Sequence, residues 1–309
     1  MNVIHHADEL PGAPRRASIA IGVFDGIHLG HQQVIRQTVA DASHFEAASV
    51  AVTFDRHPNS IVAPSAVPAA ICSLDQKIEV IASLGVETAL VIHFDEAFSR
   101  MPAEDFIRGL MRGFGVLSSV CVGREFAFGY RRQGNVALLQ RLAGEHGFQL
   151  HALAAVSLDG EVVSSTRIRS CIQSGDLDAA GQMLGRDYRL SGSIVAGDRL
   201  GRKLGIPTAN LEVSGLATPP LGVYAVHVVH QGQTHRGVAN IGTRPTVTGT
   251  SGETTVEVHL LDFDGDLYGS TVTVEFVRRL REEKRFDSMD ALRSQIGKDI
   301  EQARHCFGD

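Results

Sequence analysis

The sequence predicts two successive folds: an α/β unit built on a parallel sheet, then an antiparallel all-β unit closed by a C-terminal helix. From residue 16 to about 185, short apolar runs alternate with helical patterns, which places helices over a parallel sheet. After Arg186, strand-type runs follow one another with only turn residues between them, which predicts an antiparallel barrel or sandwich. The chain has 309 residues, enough for each unit to bury its own core.

In the first half, strands are expected over residues 18–23, 49–54, 88–93 and 119–122. Helices are expected over 73–84, 102–112 and 135–146, ended by Gly85, Gly113 and Gly147. In the second half, strands are expected over 188–195, 222–230, 234–241, 254–262 and 270–278. Val256, Val258 and Leu260 then share one strand face, with Glu257 and His259 on the other. Met289, Leu292, Ile296 and Ile300 recur at helical spacing, so one helix spans 288–304. The expected boundary gives units of residues 1–185 and 186–309.

Composition narrows the function. With 43% hydrophobic and 21% charged residues, the chain is not of the disordered class. A net charge of −6 argues against nucleic-acid and anionic-membrane partners, which demand a basic face. Nucleotides remain possible, because a few arginines and backbone amides suffice for a phosphate. The four cysteines (Cys72, Cys121, Cys171, Cys306) are far apart and form no CxxC, which points to reduced thiols. Neither a signal core nor an apolar run of membrane-spanning length is present, so a cytoplasmic location is expected.

The richest stretch is GVFDGIHLGH, residues 22–31, where a strand gives way to a helix. Its glycines permit close backbone approach, and a helix N-terminus offers free N–H groups and a positive dipole end. Gly22, Phe24, Asp25 and Gly26 are therefore candidate phosphate contacts. His28 and His31, three residues apart, are expected on one helical face as donors to one phosphate group. His57, in TFDRHP, follows the next strand and falls on the same rim. The run SSTRIR, residues 164–169, sets hydroxyls and two arginines at a helix start. Ser165, Thr166 and Arg169 are its anion-binding candidates, although a plain N-cap explains Ser165 or Thr166 as well. The loop VGREFAFG, residues 122–129, reads first as an apolar turn around Phe126 and Phe128.

In the second half, GDRLGRKLGIPTAN joins a glycine-rich basic loop to two oxygen-bearing side chains. Gly201, Arg202 and Gly205 could fold over a polyphosphate. Thr208 and Asn210, two apart in an extended segment, point the same way and offer the hard neutral oxygens that Mg²⁺ accepts.

With these motifs assembled, the chain resembles the prokaryotic bifunctional riboflavin kinase/FMN adenylyltransferases, also called FAD synthetases, nearly end to end. The resemblance rests on GVFDGIHLGHQ, TFDRHP, VGREFAFG and SSTRIR, then on GRKLGIPTANL, NIGTRPT, VEVHLLDFDGDLYG and REEKRFDSMDAL. It implies a Rossmann-like nucleotidyltransferase sheet over 1–185 and a Greek-key-type β-barrel over 186–309. It also implies that the first unit transfers AMP from ATP to FMN through His28, His31, Ser165, Thr166 and Arg169. The second would phosphorylate riboflavin, with Thr208 and Asn210 on Mg²⁺ and Glu257 as catalytic base. Glu125 and Arg281 match flavin-side positions. Arg56 stands where the family usually has proline, and Glu125 where Asp or Asn is common. ATP, riboflavin and FMN are the implied small-molecule partners. Two other readings are an enzyme with only one working unit and a flavin-binding carrier.

Overall fold

A computed structural model describes residues 1–11, 16–195, 205–244 and 253–308. The chain divides into two compact units. Met1–Ala70, Leu74–Arg167 and Met183–Gly185 form the first; Ile71–Ser73, Ile168–Gln182 and Arg186–Asp309 form the second.

The first unit is a six-stranded sheet in the order β1-β4-β3-β2-β5-β6, every pair parallel. Its strands are β1 (Asn2–Ile4), β2 (Arg16–Ile21), β3 (Ala48–Phe54), β4 (Thr88–Ile92), β5 (Val116–Gly123) and β6 (Gln149–Leu153). The connecting helices are α1 (Leu29–His44), α2 (Asn59–Val62), α3 (Leu74–Ser83), α4 (Glu96–Ser99), α5 (Ala103–Phe114) and α6 (Val136–His146). The central strands are buried on both faces, so they read as continuous apolar runs. Alternate residues nevertheless serve different layers. Ile19, Ile21, Val50 and Val120 pack with Phe106, Leu110 and Leu139 of α5 and α6. The smaller Ala20 and Ala51 pack with Val34, Ile35 and Ile81 of α1 and α3.

The chain leaves β2 toward β3 and β4 on one side and later returns to β5 on the other. That reversal is the topological switch point at which open α/β sheets bind ligands, beyond the strands' carboxyl ends. The loop after β2 lies there.

Helix α5 runs to Phe114 rather than stopping at Gly113. Gly113 is a close-packing glycine: a Cβ on it would fall 2.4 Å from Ala7 Cβ. Gly115, at φ 84°, supplies the left-handed exit instead. The edge strands β1 and β6 escape the sequence pattern because they are short and only partly buried.

After the two-stranded hairpin β7 (Ser157–Leu158) and β8 (Glu161–Val162) come α7 (Ser165–Ser174) and α8 (Leu177–Leu184). Residues 168–182 belong with the second unit for local reasons. Pro220 lies against Gly175, and the Arg186 N–H donates to the Gly181 carbonyl.

The second unit is a closed antiparallel barrel, β10-β13-β12-β11-β14-β9. Its strands are β9 (Arg189–Val195), β10 (Ala209–Leu211), β11 (Gly222–His230), β12 (Gln233–Arg244), β13 (Glu253–Leu260) and β14 (Thr271–Arg281). Three consecutive strands, β11 to β13, place the last beside β10, which is the Greek-key order. Val256, Val258 and Leu260 are buried, as the alternation requires. Helix α9 (Met289–Cys306) starts at Ser288, whose hydroxyl accepts the Ala291 N–H at 3.2 Å. Its Ala303 packs against Val223, Ala225 and Val238 of the barrel.

Candidate functional sites

In the first unit the site is built from a strained turn. Phe24 (φ 51°) and Ile27 (φ 41°) hold left-handed backbone that costs roughly 1–3 kcal/mol per residue. Burial of both side chains, at 1% and 0% exposure, compensates. A Cβ on Gly22 would meet the Phe24 ring at 2.7 Å, so glycine is required there. The turn is pinned from two sides: Thr53 Oγ1 donates to the Val23 carbonyl at 3.1 Å and Ser165 Oγ to the Asp25 carbonyl at 3.0 Å. Phe24 is therefore a packing residue by its side chain, and what it can offer a phosphate is backbone.

His28 is the N-cap of α1 rather than a residue on its face (φ −68°, ψ 172°), and its Nδ1 accepts the His31 N–H at 3.4 Å. The two imidazoles stack, with centroids 3.7 Å apart at 20°, instead of projecting side by side. Gly30 allows this, since a Cβ there would press on the His28 ring at 3.2 Å. Burial pulls His28 down to about 4 against the opposing charge of Asp25. Burial also drives His31 well below the usual histidine value, assisted by His28 and Lys77. Both rings are neutral at pH 7. With Nδ1 accepting, the His28 proton is assigned to Nε2, the one polar hydrogen this ring has to donate.

The SSTRIR run separates into roles. Ser164 is the cap of α7, its Oγ accepting the Arg167 N–H at 3.3 Å, which releases Ser165 to hold the Asp25 turn. Thr166 follows, and Arg169 lies one turn beyond Ser165, in the part of α7 that belongs to the second unit. Glu125 is exposed beside Phe126 and Phe128, whose rings stack at 5.1 Å and 15°. His57 Nδ1 accepts the Asn59 N–H at 3.1 Å. Arg56 pairs with Asp55 at 3.3 Å. Burial works against the Asp55 charge, but the Phe94 amide, His93 and Arg56 outweigh it and hold this carboxyl below its ordinary value. Lys77 was not singled out by its sequence setting, where one lysine on an amphipathic helix reads as solvated. Its stem is buried at 7% exposure, with Nζ donating to the Phe54 carbonyl at 3.3 Å.

The second unit holds a cavity of about 380 Å³ between the outer barrel face and α9. One row of side chains crosses five strands there. Asn210 pairs with Glu257, Glu257 with Asn240, Asn240 with Val223, and Val223 with Arg281. All five line the cavity, and Thr208 joins them by donating to Glu257 Oε2 at 3.3 Å. The structure thus brings Thr208, Asn210 and Glu257 together. The opposite wall is apolar, formed by Phe286, Leu292, Ile296 and Ile300.

Arg281 is largely committed within the protein. Its Nε and Nη2 donate to Asp299 at 2.7–3.1 Å and its Nη1 to the Glu282 carbonyl at 2.8 Å. Asp299, 2% exposed, also accepts from Gln295 at 2.9 Å, so this pair ties α9 to β14 under the cavity. Asn240, Glu283 and Lys284 also line the cavity. Asn240 sits inside the NIGTRPT motif, where the row across strands, not the motif, marks it. Gly205 (φ 77°) leads into β10, while Gly201 and Arg202 lie outside the described residues.

Thr208 and Asn210 present a hydroxyl and a carboxamide, a donor set suited to a hard cation that keeps waters and substrate phosphates as its other ligands. The Thr208 proton is directed at Glu257, which leaves the oxygen lone pairs for a cation. Among the described residues no group of three or more His, Cys, Asp or Glu could hold a metal ion.

A family model for riboflavin kinase matches residues 184–307, and one for FAD synthetase matches residues 10–167. The bifunctional riboflavin kinase/FMN adenylyltransferase of Pseudomonas fluorescens is 38% identical over 305 residues, covering 98% of this chain and 97% of that protein. Its counterpart in Escherichia coli (strain K12) is 36% identical over 310 residues, covering 100% and 98%. That in Bacillus subtilis (strain 168) is 33% identical over 298 residues, covering 95% and 93%. The crystal structure of a macrolide-efflux protein from Streptococcus pneumoniae aligns with a TM-score of 0.80 at 29% identity, over 98% of each chain. That name describes the pneumococcal protein. Among the described residues here, no helix is long and apolar enough to cross a membrane.

Proposed function

The chain belongs to the bifunctional riboflavin kinase/FMN adenylyltransferase family, and from that premise we propose how its units divide the work. Residues 1–185 adenylylate FMN and residues 186–309 phosphorylate riboflavin, so that FAD forms in two steps from ATP. The observation that carries the kinase assignment is Glu257, flanked by Thr208 and Asn210 in a cavity with an apolar far wall.

A ribityl hydroxyl is a poor nucleophile, with a pKa far above 7, so its attack needs a positioned base. Glu257 accepts the hydroxyl proton as that oxygen bonds to the γ-phosphorus of ATP and the bond to the ADP oxygen breaks. The apolar wall receives the flavin ring and fixes the direction from which the ribityl chain reaches the carboxylate. Thr208 and Asn210 would hold Mg²⁺, which when bound neutralises phosphate charge.

Adenylyl transfer needs no base, because the FMN phosphate is already anionic. Its oxygen bonds to the α-phosphorus and pyrophosphate leaves. The first unit meets the developing charge with the amides of the α1 N-terminus and with the His28 Nε2–H. The Ser165–Asp25 link holds the turn that presents these donors.

A time course resolved by chromatography tests this reading. Riboflavin, ATP and Mg²⁺ should give FMN that rises and then declines into FAD, with pyrophosphate released in step with FAD. FMN that accumulates without FAD would leave one working unit. No ATP turnover with riboflavin would leave a flavin-binding protein.

A further inference from the structure

The row Asn210–Glu257–Asn240 gives the Glu257 carboxylate two different flanks. Directly paired strand residues hold their Cβ atoms about 4.5–5.5 Å apart on one face, so Glu257 has a carboxamide on each side. On the Asn210 side stands Thr208, already hydrogen-bonded to Glu257 Oε2, and this is the flank proposed to face the cation and phosphates. On the Asn240 side the row continues to Val223, which shares a hydrophobic cluster with Ile300 of the apolar wall proposed to receive the flavin ring. The chain therefore passes Asn240 before its terminal hydroxyl meets Glu257.

We propose that Asn240 hydrogen-bonds the ribityl hydroxyl next to the terminal one and so determines which hydroxyl Glu257 deprotonates. This rests on Glu257 being the base. Two features of Asn240 suit the task. It stands in regular strand, in register with the base, so its position follows from the barrel and not from a loop. Its amide nitrogen also faces the side on which Glu283 stands, a carboxylate from the segment after β14. The Glu283 carboxylate and Asn240 Nδ2 both crowd the space where Gly242 lacks a Cβ, at 2.7 and 3.3 Å from that point. With the nitrogen turned that way, Oδ1 is the atom left to accept from a substrate hydroxyl. A sugar alcohol carries adjacent hydroxyls of nearly equal reactivity, so a base alone does not choose among them; a fixed acceptor beside it does.

The test compares riboflavin with the flavin that lacks the hydroxyl adjacent to the terminal one, using full-length protein. Wild type is expected to favour riboflavin by roughly tenfold in kcat/KM, the scale of one neutral hydrogen bond. In Asn240→Ala the two substrates should become nearly equal, with riboflavin losing and the deoxy flavin little affected. A merely structural Asn240 would slow both by one factor and leave their ratio unchanged, and an unchanged ratio overturns the proposal. So does a wild type that does not distinguish the two. Adenylylation of FMN by the same preparation reports an intact chain. Should Asn240→Ala fold poorly, Asn240→Val, which suits a strand, carries the same measurement. The failure of the underlying reading is separate: Glu257→Gln that still phosphorylates riboflavin removes the base, whatever the ratio shows for Asn240.

Discussion

In the first unit the groups proposed to meet a phosphate are a helix N-terminus and two stacked, neutral imidazoles. In the second the proposed site sets a carboxylate and two carboxamides side by side on barrel strands, with a hydroxyl just before one of them. On the proposed roles, the side chains of each site follow its nucleophile. An anionic phosphate attacks without losing a proton, so its site supplies donors alone, whereas an alcohol needs an acceptor for its proton. The supports differ too. Left-handed backbone at Phe24 and Ile27, held by burial, positions the first site, while unstrained strand register positions the second. A site on a strained turn depends on every pin that holds the turn. A site on a strand row tolerates single side-chain changes and loses only the chemistry removed.

The sharpest way to break this comparison is Glu257→Gln, which keeps volume and one carbonyl oxygen but removes the proton acceptor. Riboflavin phosphorylation should fall by about 10²–10⁴-fold with FMN adenylylation unchanged, measured on one preparation. Near-wild-type phosphorylation would make the carboxylate a bystander and require the base to be sought elsewhere in the barrel.

His28→Ala should reduce adenylylation of FMN by roughly 10²–10³-fold, the loss typical for one oxyanion donor, and spare riboflavin phosphorylation. It removes the cap of α1 as well, so the melting temperature should also drop modestly. Parallel loss of both activities would mean that the turn supports the whole chain rather than one site.

The smallest expected effect is on stability with pH, and it sharpens the contrast between the units. His28 titrates near 4 in the folded protein against 6.5 for the free side chain. Between those values the unfolded chain takes up a proton that the folded state refuses. The stability is therefore complete above pH 6.5 and is lost as pH falls toward 4. From pH 7 to 5.5 this one group accounts for about 1 kcal/mol, or roughly 2–4 °C in melting temperature. His28→Gln should flatten that slope by the same amount. An equal slope in the variant would place the acid sensitivity elsewhere.

Much of the fold was legible in residue order. Apolar runs broken by amphipathic helices specify a parallel sheet, and closely spaced alternating strands specify an antiparallel barrel, because each pattern has one economical way to bury its apolar face. The alternation around Glu257 likewise puts that side chain opposite the buried Val256 and Val258. Short edge strands were not legible, since three to five partly buried residues carry too little periodicity.

Within the sites, GVFDGIHLGH and PTAN nominated His28, Thr208 and Asn210 by their residues, and the family resemblance nominated Glu257. Only the tertiary structure decided what stands beside them. It made His28 a cap with a fixed tautomer, turned Ser165 onto the Asp25 carbonyl, engaged Arg281 with Asp299, and set Asn240 next to Glu257. Local sequence determines secondary structure and face because those depend on neighbours three or four residues away. Partnership across strands depends on register between segments 17 residues apart for Asn240 and Glu257 and 47 apart for Asn210 and Glu257, and only the closed barrel fixes that register.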